Sequence, residues 1–277
     1  MIVYKYLPSH LVDSVIGKRL LRFTQPIEFN DPFECSPYIS DYANGAQQKK
    51  IILKAAKDIL AQDIRSFPRH ARKKIKEITK NVARQKIKEH ERNPDVVQLL
   101  NQTSFLERLS DSFGILTLTT DPRSILMWGH YAERHTGICV GFESAHSFFT
   151  DPNEEVFRLR PVVYGDERHT TSLASAPGDD LNIFFRKSSV WSYEKEYRVI
   201  RPLQQSTTQK PPGKHGGRQV HLFEFPAEAL AEVYLGVRTD EATKASVCAY
   251  LKAEPKFSHV RQVSLEPDTH VFRFKQS

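Results

Sequence analysis

Apolar and polar positions change rhythm several times along this chain, and each change predicts an element. Residues 2–6 alternate as a strand, and 20–24 predict a second one. Between them Leu11, Val12, Val15 and Ile16 form a helical stripe over 9–16, with Ser9 as its cap and Gly17 as its stop. The stretch 25–34 reads as a loop from its prolines and its Asn-Asp pair. From 47 to about 109 the spacing is helical, with Ile51, Ile52, Ala55, Ile59 and Leu60 recurring, and Pro68 and Pro94 divide it into about three helices. A strand over 113–119, a helix from Asp121-Pro122 to Tyr131 and a strand over 136–142 follow, then a strand within 156–164 and a short helix over 180–187. In 193–200, alternation predicts a strand with Glu194, Glu196 and Arg198 on one face. Beyond a Gly/Pro/Ser/Thr loop at 204–218 lie strands over 219–225 and 231–236, a helix over 240–252 and strands over 260–264 and 271–275. Helices gathered in one block between strands predict an α+β fold: a single domain over 1–277 with a helical insertion at about 46–111.

Composition adds a boundary. With 39% hydrophobic and 26% charged residues, the 277-residue chain can bury a sizeable core. Its apolar runs are too short to cross a bilayer, and the first residues lack the basic start and apolar stretch of a signal peptide. Cys35, Cys139 and Cys248 show neither CxxC nor Cys/His ligand spacing, which argues against a disulfide scaffold and a zinc site. A cytoplasmic location is the expectation. Net charge is +7, yet eleven Lys or Arg against three Glu between Arg65 and Arg92 carry +8, leaving about −1 elsewhere. The basic character belongs to one segment. Its candidate nucleic-acid contacts are Arg69, Arg72, Lys73, Lys74 and Lys76, although a solvated helix face explains the same run, and Phe67 is its one aromatic residue.

Phosphate-binding, dinucleotide-binding, zincin and hydrolase-elbow motifs are absent. Three polar clusters remain. In 29–34, Asn30 and Asp31 sit between Phe29 and Phe33, with Glu34 next; turn-making accounts for them, as does a rigid ligand-facing loop. In 127–131, Trp128, His130 and Tyr131 suit a core helix end or a stacking wall for a flat ring such as adenine or nicotinamide. Gly129 there lowers helix propensity by about 1 kcal/mol against Ala, for which close backbone approach is one reason. In 191–198, Glu194 and Glu196 repel one another unless cations such as Lys187 and Arg198 lie near; this is either a charge ladder or a catalytic pair.

Taken in order, these motifs resemble a widespread bacterial family, the domain-of-unknown-function family 2971. The likeness is carried by Tyr4-Lys5-Tyr6, Leu21-Arg22-Phe23-Thr24-Gln25-Pro26 and Phe29-Asn30-Asp31-Pro32-Phe33-Glu34. It continues in Met127-Trp128-Gly129-His130-Tyr131, Thr136-Gly137-Ile138-Cys139-Val140-Gly141-Phe142, Val163-Tyr164, Lys187, Trp191 and Tyr193-Glu194-Lys195-Glu196-Tyr197-Arg198. The order is also similar to that of ADP-ribosyltransferase folds, in which a split mixed or antiparallel sheet carries a polar first strand, a ring-stacking Tyr and a late catalytic Glu. Here the usual His or Arg of the first strand is missing, which would leave Lys5 or Arg22 to hold the ribose or phosphate.

That second resemblance implies an NAD-cleaving transferase acting on a nucleic-acid or protein acceptor, a role that would suit bacterial stress or phage defence. Glu196 and Glu194 are its catalytic candidates. Lys5, Tyr6, Arg22, Asn30, Asp31, Trp128, His130, Tyr131, Lys187 and Arg198 are its candidate contacts to NAD. Two alternatives stand beside it: a nucleic-acid-binding accessory module using 65–92, and a metal-dependent nucleotide or nucleic-acid hydrolase using Asp31, Glu34, Glu194 and Glu196.

Overall fold

A computed structural model describes residues 1–39, 53–54, 69–92, 94–150, 157–172, 181–212 and 217–276. The chain divides into two compact units. One comprises Met1–Cys35, Ser110–Glu167 and Phe184–Ser277, the other Ser36–Leu109 and Arg168–Ile183.

The first unit is built on one eight-stranded sheet. Its strands are β1 (Ile2–Leu7), β2 (Phe113–Thr119), β3 (Ile138–Glu143), β4 (Arg160–Pro161), β5 (Glu196–Pro202), β6 (Leu230–Leu235), β7 (Arg261–Pro267) and β8 (Phe274–Gln276). They lie in the order β8-β7-β6-β3-β1-β2-β5-β4. Every pairing is antiparallel except β6 with β7, which the helix Glu241–Ala253 connects, so the sheet is mixed and the fold α+β.

Alternation on β1 buries both faces. Val3 and Leu7 join Leu116, Leu118, Val140, Phe142 and Val233 in one core, while Tyr4 and Tyr6 join Trp128, Cys139, Tyr234 and Val263 in the other. Gly141 on β3 is needed beside Tyr4: a Cβ there would meet the tyrosine ring at 2.8 Å.

The pairing of β1 is lopsided. Against β3 it runs in register for six residues, Ile2↔Glu143 to Leu7↔Ile138. Against β2 the registered pair is Tyr4↔Thr119, and near its other end β2 instead bridges to Thr24 through Ile115. The sheet is therefore split between two central strands, beyond Tyr4 on one side and before Thr119 on the other.

Four local expectations need correction. Residues 9–16 form a 3₁₀ turn (Ser9–Leu11) and a π turn (Asp13–Gly17), because Ser9 is drawn away from capping: its N–H and hydroxyl both donate to Glu133 Oε2. The next helix begins at Ile125, capped by Ser124, whose Oγ accepts from the Met127 N–H. Asp121 closes a turn by accepting from the Arg123 N–H, and Trp128 Nε1 donates to the Pro122 carbonyl at 2.9 Å, occupying a group a longer helix would use. The strand expected at 193–200 begins only at Glu196, since Ser189–Glu194 is 3₁₀ and Lys195 takes a left-handed conformation (φ 46°) that breaks the alternation. The stretch expected as a loop at 204–218 contains Thr208–Lys210, which pairs with Val220–Glu224.

In the second unit, the helix Arg69–Arg92 and most of Pro94–Ser112 are α-helical, and Tyr38–Ile39 pairs in parallel with Thr170–Thr171. The apolar stripe at Ile51, Ile52, Ala55, Ile59 and Leu60, the break at Pro68, and positions 156 and 180 lie outside the described residues. Among the described residues no helix is long and apolar enough to cross a membrane.

Candidate active site

A cleft of about 470 Å³, its open mouth included, occupies the split. β1 contributes Tyr4, Lys5 and Tyr6, β2 contributes Thr117, Leu118 and Thr119, and the helix Ile125–Tyr131 contributes Met127 and Tyr131. Phe29 and Asn30 come from the loop after Glu28, and Lys187, Glu194 and Glu196 complete the wall.

Behind that wall lies a buried charge cluster. Arg198 is fully buried. Its Nε donates to Glu196 Oε1 at 2.8 Å and its Nη1 to the Phe184 carbonyl at 2.6 Å, while its Nη2 reaches Glu34 and Glu196 Oε2. Lys187, on a short strand that pairs with Val163–Tyr164, donates to Glu194 Oε2 at 2.6 Å and Glu196 Oε2 at 3.1 Å, and lies 3.5 Å from Glu34 Oε2. Trp191 faces its ammonium at 5.1 Å. Tyr131 donates its hydroxyl to Glu194 Oε1 at 2.7 Å. The Glu196 N–H donates to the Tyr164 hydroxyl at 2.8 Å.

These contacts fix the protonation states. Burial pushes the Glu196 carboxyl upward, but Arg198 and Lys187 outweigh it and hold it down at about 2. Burial disfavours the charge on Lys187, yet Glu196, Glu34 and Glu194 together raise its pKa. Glu34 goes the other way. Burial dominates there and raises its pKa despite Arg198 and Lys187, and its Oε2 accepts no hydrogen bond. Three carboxyl groups around two cations thus leave Glu34 disfavoured as an anion.

Of the residues singled out from sequence, Lys5, Tyr6, Asn30, Tyr131, Lys187, Glu194 and Glu196 line one cleft. Glu194 arrives from the end of a 3₁₀ turn rather than from a strand face. Arg198 stands behind Glu196 with no surface of its own, so its expected contact with a ligand is corrected to positioning. Trp128 is also wholly buried, edge-on to Tyr6 at 5.2 Å, and its expected stacking role is corrected to core packing. His130 is exposed and does not line the cleft. Arg22 is paired with Glu28 away from the lining, and Asp31 accepts from the Phe33 N–H at 2.9 Å, shaping its own turn. On the helix Arg69–Arg92, Lys73, Lys74 and Lys76 are exposed and Arg72 is half-buried; the Arg69 side chain lies outside the described residues.

Sequence reasoning passed over Thr117, Thr119, Phe29 and Met127 as cleft residues. For the two threonines a signal existed: hydroxyls alternate with apolar residues at the end of an otherwise apolar strand. Among the described residues no group of three or more His, Cys, Asp or Glu is placed to hold a metal ion.

The cleft and its charge cluster can be compared with known proteins. Residues 127–199 match the family model described as "Protein of unknown function (DUF2971)". The DUF2971 match runs from Met127 through Tyr131, Lys187, Glu194 and Glu196 to Arg198 and Val199, so it takes in one side of the cleft and most of the ion cluster. Lys5, Asn30, Glu34 and Thr117 lie outside it. No curated protein and no solved structure matches the chain.

Proposed function

We propose that the cleft cleaves the bond between nicotinamide and ribose in NAD, as an ADP-ribosyltransferase-like enzyme, and passes the ADP-ribosyl group to a nucleic-acid or protein acceptor. The observation that carries this reading is the ionised Glu196 carboxylate, held by Arg198 and Lys187 on the wall of a cleft in a split sheet. In this reaction the C–N bond breaks with its electron pair going to the nicotinamide nitrogen, and positive charge develops on the ribose. A fixed carboxylate whose partners are already in place stabilises that charge without reorganising.

Lone-pair accounting leaves room for the substrate. A carboxylate offers about four acceptor sites. Glu196 uses three, two on Oε2 and one on Oε1, so Oε1 can accept from a ribose hydroxyl. Glu194 uses one site on each oxygen and can take the proton of an incoming acceptor. Tyr131, fixed through its hydroxyl, offers its ring to nicotinamide, and Lys5 can donate an N–H to a ribose or phosphate oxygen.

The test is nicotinamide release from NAD by the full chain, with and without RNA, DNA or lysate protein, beside Glu196→Gln. Release that falls about 100-fold or more in a variant with an unchanged circular dichroism spectrum supports the reading. Equal release by both proteins, or none from the parent under any condition, refutes it. The second reading, an accessory nucleic-acid-binding module, is favoured by the exposed Lys73, Lys74 and Lys76 and requires no Glu196. The metal-dependent hydrolase is not carried further: Glu34, Glu194 and Glu196 are engaged by Lys187 and Arg198, and Asp31 by its own turn.

A further inference from the structure

The cleft contains two lysines in opposite circumstances. Lys187 is clasped by three carboxylates and fixed as a cation. Lys5 projects from β1 at the split, and its Nζ makes one hydrogen bond, 2.7 Å to Thr117 Oγ1 on β2. Among the described residues it forms no ion pair, it is partly buried, and it lines the cleft. The amine is thus held by a neutral hydroxyl, with no carboxylate among the described residues in contact, and faces the cleft. That combination turns a lysine from a binding group into a nucleophile.

We propose that Lys5 is a reactive amine that forms an imine with a neutral aldehyde or ketone held in the cleft. This inference does not rest on the NAD reading, although both name Lys5. In the step, the Nζ lone pair attacks the carbonyl carbon and an N–C bond forms as the C=O π pair moves to oxygen. The oxygen then leaves as water with the two amine protons, giving the imine. Carbonyl class follows from the lining. Tyr6, Phe29, Met127 and Tyr131 provide apolar surface, and the other lysine on the wall, Lys187, is already engaged by Glu34, Glu194 and Glu196, so among the described lining residues no free cation remains for the carboxylate of a 2-oxo acid once Lys5 has reacted.

The electrostatics agree with the geometry. Burial lowers the Lys5 pKa to about 8, which Glu196 and Glu194 oppose and Lys187 and Arg22 reinforce. At neutral pH a larger share of Lys5 is therefore unprotonated than of a lysine with the ordinary pKa near 10.4.

The experiment treats the full chain with benzaldehyde and cyanoborohydride, which reduces any imine to a stable amine, and maps the label by peptide mass spectrometry. Lys5 is expected to label about tenfold faster or more than the exposed Lys252 and Lys256 at pH 7.5. Its rate should reach half-maximum near about pH 8. Lys187 should stay unlabelled until the protein is unfolded. Pyruvate in place of benzaldehyde should lose most of the preference for Lys5. Labelling of Lys5 no faster than Lys252 and Lys256, or a Lys5 rate that is still climbing at pH 10, overturns the proposal. An equal preference with pyruvate overturns the assignment to neutral carbonyls.

Discussion

The two densest groups of charge in this protein use charge in contrary ways. On the helix Arg69–Arg92, ten Lys or Arg and three Glu follow one another along 24 residues, and Lys73, Lys74, Lys76, Lys80, Arg84 and Lys88 face solvent. Behind the cleft wall, three carboxyl groups (Glu34, Glu194 and Glu196) and two cations (Lys187 and Arg198) are almost wholly buried and compensate one another through shared contacts. Exposed charges are hydrated, are screened by salt and tolerate exchange. Buried ones have exchanged hydration for one another, so each depends on its partners being present. Charge density along a sequence therefore says little about where charge carries energy; the number of partners replacing water decides that.

The most direct way to break this contrast is Arg198→Met. It leaves Glu34 and Glu196 buried without the guanidinium they share, and should cost about 3–5 kcal/mol in urea unfolding. Lys74→Met on the exposed helix should cost within about 0.5 kcal/mol. Equal losses at the two positions would mean that the ion cluster is hydrated in solution.

A pH titration sharpens the same comparison. Glu196 has a folded pKa depressed to about 2, so the stability it contributes is present above its unfolded value near 4.3 and is lost as pH falls from there towards 2. Glu34 has the opposite sign. Its raised pKa makes folding most favourable with the acid protonated, and its contribution declines as pH rises past the ordinary carboxylate range. Unfolding of the parent should therefore steepen below about pH 4.3, and Glu196→Gln should flatten that limb. The same steep acid limb in Glu196→Gln would assign it to other carboxylates.

Tyr131→Phe tests one edge of the cluster and has a smaller effect. Glu194 loses a hydrogen bond of 2.7 Å but keeps Lys187, for a cost of about 1–2 kcal/mol. If Glu194 receives the acceptor's proton, transfer to the acceptor should fall about tenfold while nicotinamide release to water changes less. An equal drop in both would place Tyr131 in bond cleavage instead.

How much of this was legible follows from the range of each interaction. β1, β2 and β3 could be read because short runs of β-forming and apolar residues are a local signal, and both of their faces are buried. The carboxylate pair was also visible, and cations beside it were required by simple repulsion. Invisible were the break at Lys195, a left-handed residue with a β-like neighbourhood, and the link from Arg198 to Glu34 across 164 positions. Trp128 shows the same limit. Its place between cleft and core depends on Tyr6 and the Pro122 carbonyl, and nothing in the run Met127 to Tyr131 records either.

The smallest expected effect falls on the exposed side of the comparison, and it separates the two functional readings. Replacing Lys73, Lys74 and Lys76 together by Gln removes three hydrated charges, and stability should change by no more than about 0.5 kcal/mol per site. Any nicotinamide release from free NAD should be unchanged, because none of the three lines the cleft. If the helix tracks a nucleic-acid backbone, each lost phosphate contact lowers the slope of log K against log salt by about 0.7 for single strands or 0.9 for duplex, so a drop of about 2–3 is expected. A slope that stays put, with binding intact, would take nucleic acid away from these lysines. A slope that falls while release from free NAD persists would leave the helix as the recruiting surface and the cleft as the place of chemistry.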